Sequence, residues 1–125
     1  GCLLALASWM IGYPQAAGQT PIFEKSPQVI QGASRTWGSA AADLDGDGDL
    51  DIVLGALVSG PLVLISDGNG RFRASDQTMD TEMHDIAVGD LDRDGDTDVF
   101  LPNRETGRHE IWFNRLKERA ADEKS

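Results

Sequence analysis

The middle of the chain consists of short apolar runs separated by polar, glycine-rich stretches. Residues 50–54 and 97–101 are apolar at almost consecutive positions, a pattern that predicts strands buried on both faces. Runs of small, β-branched and aromatic residues predict more strands around these two. They lie at residues 37–42, 61–65, 84–89 and 109–113, and at 71–73, where a fourth strand begins. We therefore expect an all-β fold made of short strands.

An acidic segment of nine residues leads into each of the two buried strands. Residues 43–51 and 90–98 both fit D-x-D-x-D-G-x-x-D, and each contains five Asp. Carboxylates so close together repel one another unless a cation lies among them. The spacing fits calcium, with carboxylates at positions 1, 3, 5 and 9, a carbonyl at position 7, and a Gly at position 6 that allows the chain to reverse. We expect two calcium sites, and the alternative is an acidic turn that holds no metal.

The EF-hand opens with the same spacing and has to be weighed first. It requires a bidentate Glu at position 12 and a helix on each side of the loop. Position 12 is Leu54 in the first segment and Leu101 in the second, and both lie in predicted strands. We therefore reject the EF-hand and place each acidic segment between two strands.

The two acidic segments belong to a repeat of the chain. Asp43 and Asp90 are 47 positions apart, and the flanking small residues and strands align at the same offset. Four short strands per unit at such a period are typical of a propeller blade. Units are predicted near residues 35–80 and 82–114, and residues 21–30 match the outer strand of a preceding unit.

This arrangement resembles the VCBS and FG-GAP repeats, the calcium-loop blades of integrin-α-type β-propellers. The likeness is carried by residues 41–52 and 88–99, and by the turn Asp67-Gly68-Asn69-Gly70-Arg71-Phe72. It covers about residues 21–114. It implies a partial β-propeller of about two four-stranded antiparallel blades, with a calcium loop between the first and second strands of each blade.

The resemblance also implies a set of ligands for two calcium ions. In the first loop, these are the side chains of Asp43, Asp45, Asp47 and Asp51 and the carbonyl of Asp49. In the second loop, they are the side chains of Asp90, Asp92, Asp94 and Asp98 and the carbonyl of Asp96. In that family the acidic loops bind calcium, and the propeller is commonly extracellular and serves adhesion, ligand binding or scaffolding.

The chain departs from the family pattern after Asn114. The family would continue with Asp-Gly-x-Gly-x-Phe, whereas this chain continues with a charged tail at residues 115–125. We expect that tail to be a frayed, partly helical end, or the end of a broken reading frame. Propellers typically need about four to eight blades to close, and residues 19–114 hold about two. We therefore expect self-association, or the remaining blades of a larger chain, to cover the open faces.

The N-terminal region has the features of a signal peptide. Residues 2–12 form an apolar run that is too short to span a bilayer as a helix and has the length of a signal-peptide core. Ala16, Ala17 and Gly18 supply small residues for cleavage before Gln19. Residues 1–18 are predicted to be a signal-peptide remnant, with a core helix or strand as the alternative. The protein is thus expected to be secreted, extracellular or periplasmic, with no membrane span.

Charge and the remaining side chains narrow the function classes. A net charge of −10 argues against nucleic acid and anionic membrane surfaces, and ten of the 21 acidic residues lie in the two loops. Cys2 is the single cysteine, so no intrachain disulfide can form. His84 and His109 have no neighbours at zinc-site spacing and are expected on strand surfaces. No sequence motif indicates a catalytic nucleophile or a P-loop, and packing of the Asp residues into metal-type loops argues against a glycosidase pair.

The function that fits these observations is that of a calcium-binding VCBS/FG-GAP repeat protein without catalysis. It would be an extracellular β-propeller fragment that serves as a structural, adhesion or ligand-binding scaffold. One alternative is a module that recognises an extracellular glycan or protein, and another is the non-catalytic propeller portion of a larger secreted enzyme.

Overall fold

The structure is a computed structural model that describes residues 21–124, and the predicted signal-peptide remnant, 1–18, lies outside them. The described residues form seven strands and one helix. In chain order these are β1 (Thr36–Ala42), β2 (Asp51–Ala56), β3 (Leu62–Ser66), β4 (Phe72–Ala74), β5 (Ala87–Gly89), β6 (Asp98–Leu101), β7 (Glu110–Trp112) and α1 (Leu116–Lys124). The prediction of a fold made mainly of short strands is confirmed.

The strands form two antiparallel sheets in which neighbours in sequence are neighbours in space. The first sheet has the order β1-β2-β3-β4 and the second has the order β5-β6-β7. Ala41 pairs with Ile52, and Val53 pairs with Val63, in the first sheet. No residue of β2 is exposed, and three of the four residues of β6 are buried, as their apolar sequences predicted.

The second sheet has three strands within the described residues, so the expected fourth strand is wrong for this unit. The chain turns into α1 after β7, because the residues that follow are good helix formers and not turn formers. The side chain of Asn114 accepts a hydrogen bond of 3.0 Å from the backbone N–H of Leu116 and thereby caps the helix. The partly helical tail that the sequence predicted is present as α1.

The predicted outer strand at residues 21–30 is also absent, since this segment contains no strand. Pro21 and Pro27 lack the N–H groups that a continuous ladder requires. One side chain replaces the ladder: Gln28 Oε1 accepts a hydrogen bond of 2.9 Å from the N–H of Phe72, and its Nε2 donates to the carbonyl of the same residue. The segment therefore contacts the edge of β4 through a single amide side chain.

The core lies between the two sheets. The first sheet contributes Val53 and Val63, and the second contributes Val99 and Leu101. The connection between β4 and β5 fills the space with Met79, Met83 and Ile86. Each such side chain contributes about 1.5–3 kcal/mol on burial, so this shared face holds the two sheets together. No helix among the described residues has the length and apolar character needed to cross a membrane.

The first strands of the two sheets approach each other closely beside His84. The expectation of a surface position is wrong for this residue, which is 7 % exposed. Its ring lies edge-on to Trp37, with centroids 5.8 Å apart, and its Nε2 is 3.5 Å from Glu105 Oε1. Burial follows from the approach of β1 to the segment before β5, which no local pattern reveals. His109 is exposed, as expected.

Gly38 sits at the point of closest approach, and we expect Gly38→Ala to destabilise the fold by about 1–3 kcal/mol through overpacking. An added Cβ would lie 2.9 Å from Asp85 Oδ1 and 3.1 Å from Asp85 Cα. Gly89→Ala is the matched control, since Gly89 is a strand glycine with nothing within 4 Å of an added Cβ. Urea denaturation of both variants measures the difference, and equal stabilities would contradict this close contact.

Candidate metal centre

Each acidic loop joins the first and second strands of its sheet. The first loop runs from Asp43 to Leu50, between β1 and β2, and the second runs from Asp90 to Thr97, between β5 and β6. At the base of each loop the two flanking strands pair with each other. Ala42 pairs with Asp51 in the first sheet, and Gly89 pairs with Asp98 in the second. The predicted placement of both loops is confirmed.

Asp43 organises the first loop through backbone hydrogen bonds. Its Oδ1 accepts from the N–H of Gly46 at 2.8 Å, and its Oδ2 accepts from the N–H of Gly48 at 2.9 Å. The bond from Gly48 is the main reason that the pKa of Asp43 lies below its ordinary value. Asp47 repeats the motif on a smaller scale, because its Oδ1 accepts from the N–H of Asp49 at 2.9 Å.

The first loop brings together Asp43, Asp45 and Asp47. Each offers one carboxylate oxygen, and these oxygens lie within 4.8 Å of one another. Desolvation and then the hydrogen bond with Asp47 raise the pKa of Asp45.

The second loop brings together four of the predicted ligands. Asp90, Asp92, Asp94 and Asp98 each offer a carboxylate oxygen within 4.8 Å of the others. Asp90 accepts hydrogen bonds from the N–H groups of Asp94 and Gly95, at 3.2 and 2.9 Å, much as Asp43 does in the first loop. Desolvation and then Asp94 raise the pKa of Asp92, whereas the backbone hydrogen bond from Asp96 lowers the pKa of Asp94.

Glycine at position 6 reverses the chain in both loops. Gly48 has φ 91° and Gly95 has φ 90°, in the left-handed region that glycine adopts without strain. At position 4 the loops differ, because Gly46 has φ 80° whereas Arg93, a residue with a side chain, has φ 63°. The second loop therefore holds one non-glycine residue in a conformation that the first loop gives to glycine.

Asp51 and Asp98 play a larger structural part than the ligand pattern predicts, since both are 0 % exposed. Asp51 Oδ2 accepts a hydrogen bond from the N–H of Leu44 and its Oδ1 accepts from the N–H of Ser66, each at 2.8 Å. These bonds join the start of the loop to the end of β3. Asp98 makes the same pair of bonds in the second unit, from the N–H groups of Leu91 and Asn114, each at 2.8 Å.

The two Asp that were predicted to use their carbonyls direct their side chains to different neighbours. Asp49 Oδ2 would be 2.7 Å from a Cβ added to Gly68, so this carboxylate packs against the turn after β3. Asp96 is 7 % exposed, and its Oδ2 has no hydrogen-bond partner. Asp94 Oδ2 is likewise buried and without a hydrogen-bond partner. Two buried oxygens of the second loop thus lack a hydrogen bond, although Asp94 Oδ2 lies 3.8 Å from Arg115 Nη1.

The structure adds Asn114, Arg115 and Lys117 to the predicted set. Asn114 Nδ2 donates to the carbonyl of Leu44 at 2.7 Å and to the carbonyl of Thr97 at 3.1 Å, so it links the two loops. The repeat contained a partial signal for this residue, because Asn114 takes the place that another polar residue, Ser66, has 48 positions earlier. No such signal exists for Arg115 and Lys117, which lie in the tail that departs from the repeat.

The donor set fits a hard cation. The described groups are carboxylates and contain no His or Cys, which suits calcium better than zinc or copper. The two unpartnered oxygens of the second loop have acceptor capacity that an ion would use. Asp51 is not among the three grouped carboxylates of the first loop, whereas Asp98 belongs to the group in the second.

Comparisons of the chain with protein-family models, with curated proteins and with solved structures found no match. The resemblance to the calcium-loop repeats therefore stays a hypothesis, carried by the motif residues of this chain.

Proposed function

We propose that this chain is a calcium-binding repeat module in which one ion is held at each acidic loop and serves structure rather than catalysis. The observation that supports this most directly is the repeated geometry. Two loops of the same sequence pattern, each at the same place in its sheet, bring three or four carboxylates within 4.8 Å of one another. A divalent ion among them would offset their mutual repulsion and fix the turn between two strands.

In the first loop, Asp43, Asp45 and Asp47 would bind the ion through their side chains. In the second loop, Asp90, Asp92, Asp94 and Asp98 would do so. The carbonyls of Asp49 and Asp96 remain the proposed seventh-position ligands, and Asp51 the proposed ninth-position ligand of the first loop. Calcium tolerates six to eight oxygen ligands with irregular geometry, whereas magnesium demands an octahedron and keeps its waters.

We further propose that the two sheets are blades of a β-propeller that acts outside the cytoplasm as a scaffold. Each sheet is an antiparallel meander, and the two sheets pack through one shared apolar core. β1 and β5, the first strands of the two sheets, contact each other across the interface. Antiparallel meanders that pack face to face support this proposal, because propeller blades are four-stranded sheets arranged around a central channel.

Isothermal calorimetry with calcium tests the proposed sites. We expect two ions per chain, the loss of one in Asp45→Ala and the loss of the other in Asp92→Ala. Asp76→Ala removes an exposed carboxylate outside the loops and should leave both ions bound. The same titration with magnesium should give much weaker binding. Absence of calcium binding by the folded chain, or equal binding of magnesium, would refute the proposal.

A further inference from the structure

The second acidic loop already holds two cationic side chains of the chain itself. Arg115 Nη1 donates to Asp92 Oδ2 at 3.0 Å and lies 3.8 Å from Asp94 Oδ2. Lys117 Nζ donates to the carbonyl of Asp94 at 3.0 Å and lies 3.4 Å from Asp96 Oδ1. Arg115 therefore contacts two carboxylates that were expected to surround a metal ion, and Lys117 contacts other oxygens of the same loop.

Within residues 21–124, the first loop has no such cations. Among the described residues, neither Lys nor Arg forms an ion pair with Asp43, Asp45 or Asp47. The structure explains the difference. Asn114 takes the place of Ser66, 48 residues earlier, because each donates its N–H to the buried Asp of its unit. At the same offset Arg115 and Lys117 correspond to Asp67 and Asn69, an acidic and a neutral residue of the turn in the first unit.

Charged side chains attach the start of α1 to the second loop. The described side chains of the helix are all exposed, including Leu116, the one large apolar residue of its first turn. A helix of nine residues is marginal without tertiary support. Arg115 connects the two parts, since its Nη1 also donates to Glu118 Oε1 at 3.1 Å. Loss of the ion pairs would therefore weaken the attachment of the helix to the second loop.

The two cations do not supply a hydrogen bond to every buried carboxylate oxygen of the second loop. Asp96 is 7 % exposed, and one of its oxygens has no hydrogen-bond partner although Lys117 is near the other. Asp94 Oδ2 has no hydrogen bond either, although Arg115 Nη1 lies 3.8 Å away. A calcium ion can bind six to eight oxygens at once, which is more than the loop oxygens that Arg115 and Lys117 contact.

We infer that Arg115 and Lys117 make the two loops unequal calcium sites, so that an ion enters the second loop only as these side chains, and helix α1 with them, leave it. This inference rests on the proposed calcium binding. The guanidinium contacts the carboxylates of Asp92 and Asp94, and the ammonium lies beside the carbonyl of Asp94. An ion held by these carboxylates would therefore repel both groups. The first loop then fills at lower calcium concentration, and the second couples calcium to the release of the tail.

The affinity of the second loop alone gives the first test. In an Asp45→Ala background, which isolates the second loop, Arg115→Gln with Lys117→Gln should lower the calcium Kd by about tenfold, since two nearby like charges are removed. Arg73→Gln with Arg108→Gln is the matched control. It removes the same charge from exposed positions away from the loops and should leave the Kd within about twofold.

Release of the helix gives a second readout that needs no change in the loop cations. We expect trypsin to cleave after Lys117 and Arg119 faster in calcium than in EDTA in the Asp45→Ala variant. In Asp90→Ala, which disables the second loop without touching Arg115 or Lys117, calcium should not accelerate cleavage.

The outcomes separate this inference from the proposed function. An unchanged calcium Kd after removal of the two cations would overturn the inference. So would an unchanged rate of trypsin cleavage in the helix while calcium binds the second loop. Either result would leave the proposed calcium sites intact. Failure of the wild-type chain to bind calcium at either loop would overturn both.

Discussion

Asp51→Ala is expected to lower the free energy of unfolding by about 3–5 kcal/mol, without any divalent cation present. The carboxylate is 0 % exposed, and its two oxygens accept the N–H groups of Leu44 and Ser66. Truncation leaves both backbone donors without a partner and opens a small cavity. Asp98→Ala should have an effect of the same size, because its bonds to Leu91 and Asn114 repeat the arrangement.

Urea unfolding in EDTA measures this effect apart from metal binding. Asp47→Ala is the matched control, because Asp47 lies in the same loop but is exposed. It should cost less than about 1 kcal/mol. Asp51→Asn should recover only part of the loss, since one oxygen remains while the amide N–H₂ faces a backbone donor. If Asp51→Ala and Asp47→Ala were equally stable in EDTA, the buried carboxylate would not be a structural link.

Calcium is expected to raise the free energy of unfolding by about 5 kcal/mol when both loops are saturated at a hundredfold excess over Kd. Each ion that binds only the folded state contributes about 2.7 kcal/mol under that condition. The gain arises because the grouped carboxylates of each loop repel one another until a cation lies among them. Thermal or urea unfolding in calcium and in EDTA measures the difference.

The calcium dependence should have two stages if Arg115 and Lys117 compete at the second loop. The stability gain from the first loop should appear at lower calcium, and Asp45→Ala should remove that stage alone. Magnesium at the same concentration is the control and should give a much smaller gain. Identical unfolding curves in calcium and EDTA would contradict a structural role for the ion.

The two kinds of Asp in each loop therefore have separate tests. Asp51 and Asp98 are buried and satisfied by backbone donors, so their removal matters without a metal. Asp45 and Asp92 have pKa values raised by desolvation and by an adjacent carboxylate, so their charge is a cost that an ion would offset. A variant series measured with and without calcium separates these contributions.

The candidate site was predictable to the extent that it is local. Asp43 to Asp51 and Asp90 to Asp98 form their turns through bonds between residues two to five positions apart, so the nine-residue pattern contains most of the geometry. The partners of Asp51 and Asp98 at Ser66 and Asn114 lie 15 and 16 residues away. They depend on how β3 and β7 pair with their neighbours, which the loop pattern does not encode.

By itself, the sequence determined the short strands, the order of the strands within each sheet and the two acidic loops between paired strands. These features follow from apolar runs and turn residues that act over a few positions. Only the tertiary structure decided the burial of His84 and the contact of Gln28 with Phe72. It also decided the replacement of a fourth strand by α1 and the entry of Arg115 and Lys117 into the second loop. Each depends on which distant segments meet across a sheet edge or interface. At such places backbone hydrogen bonding, side-chain packing and charge pairing have to be satisfied at the same time.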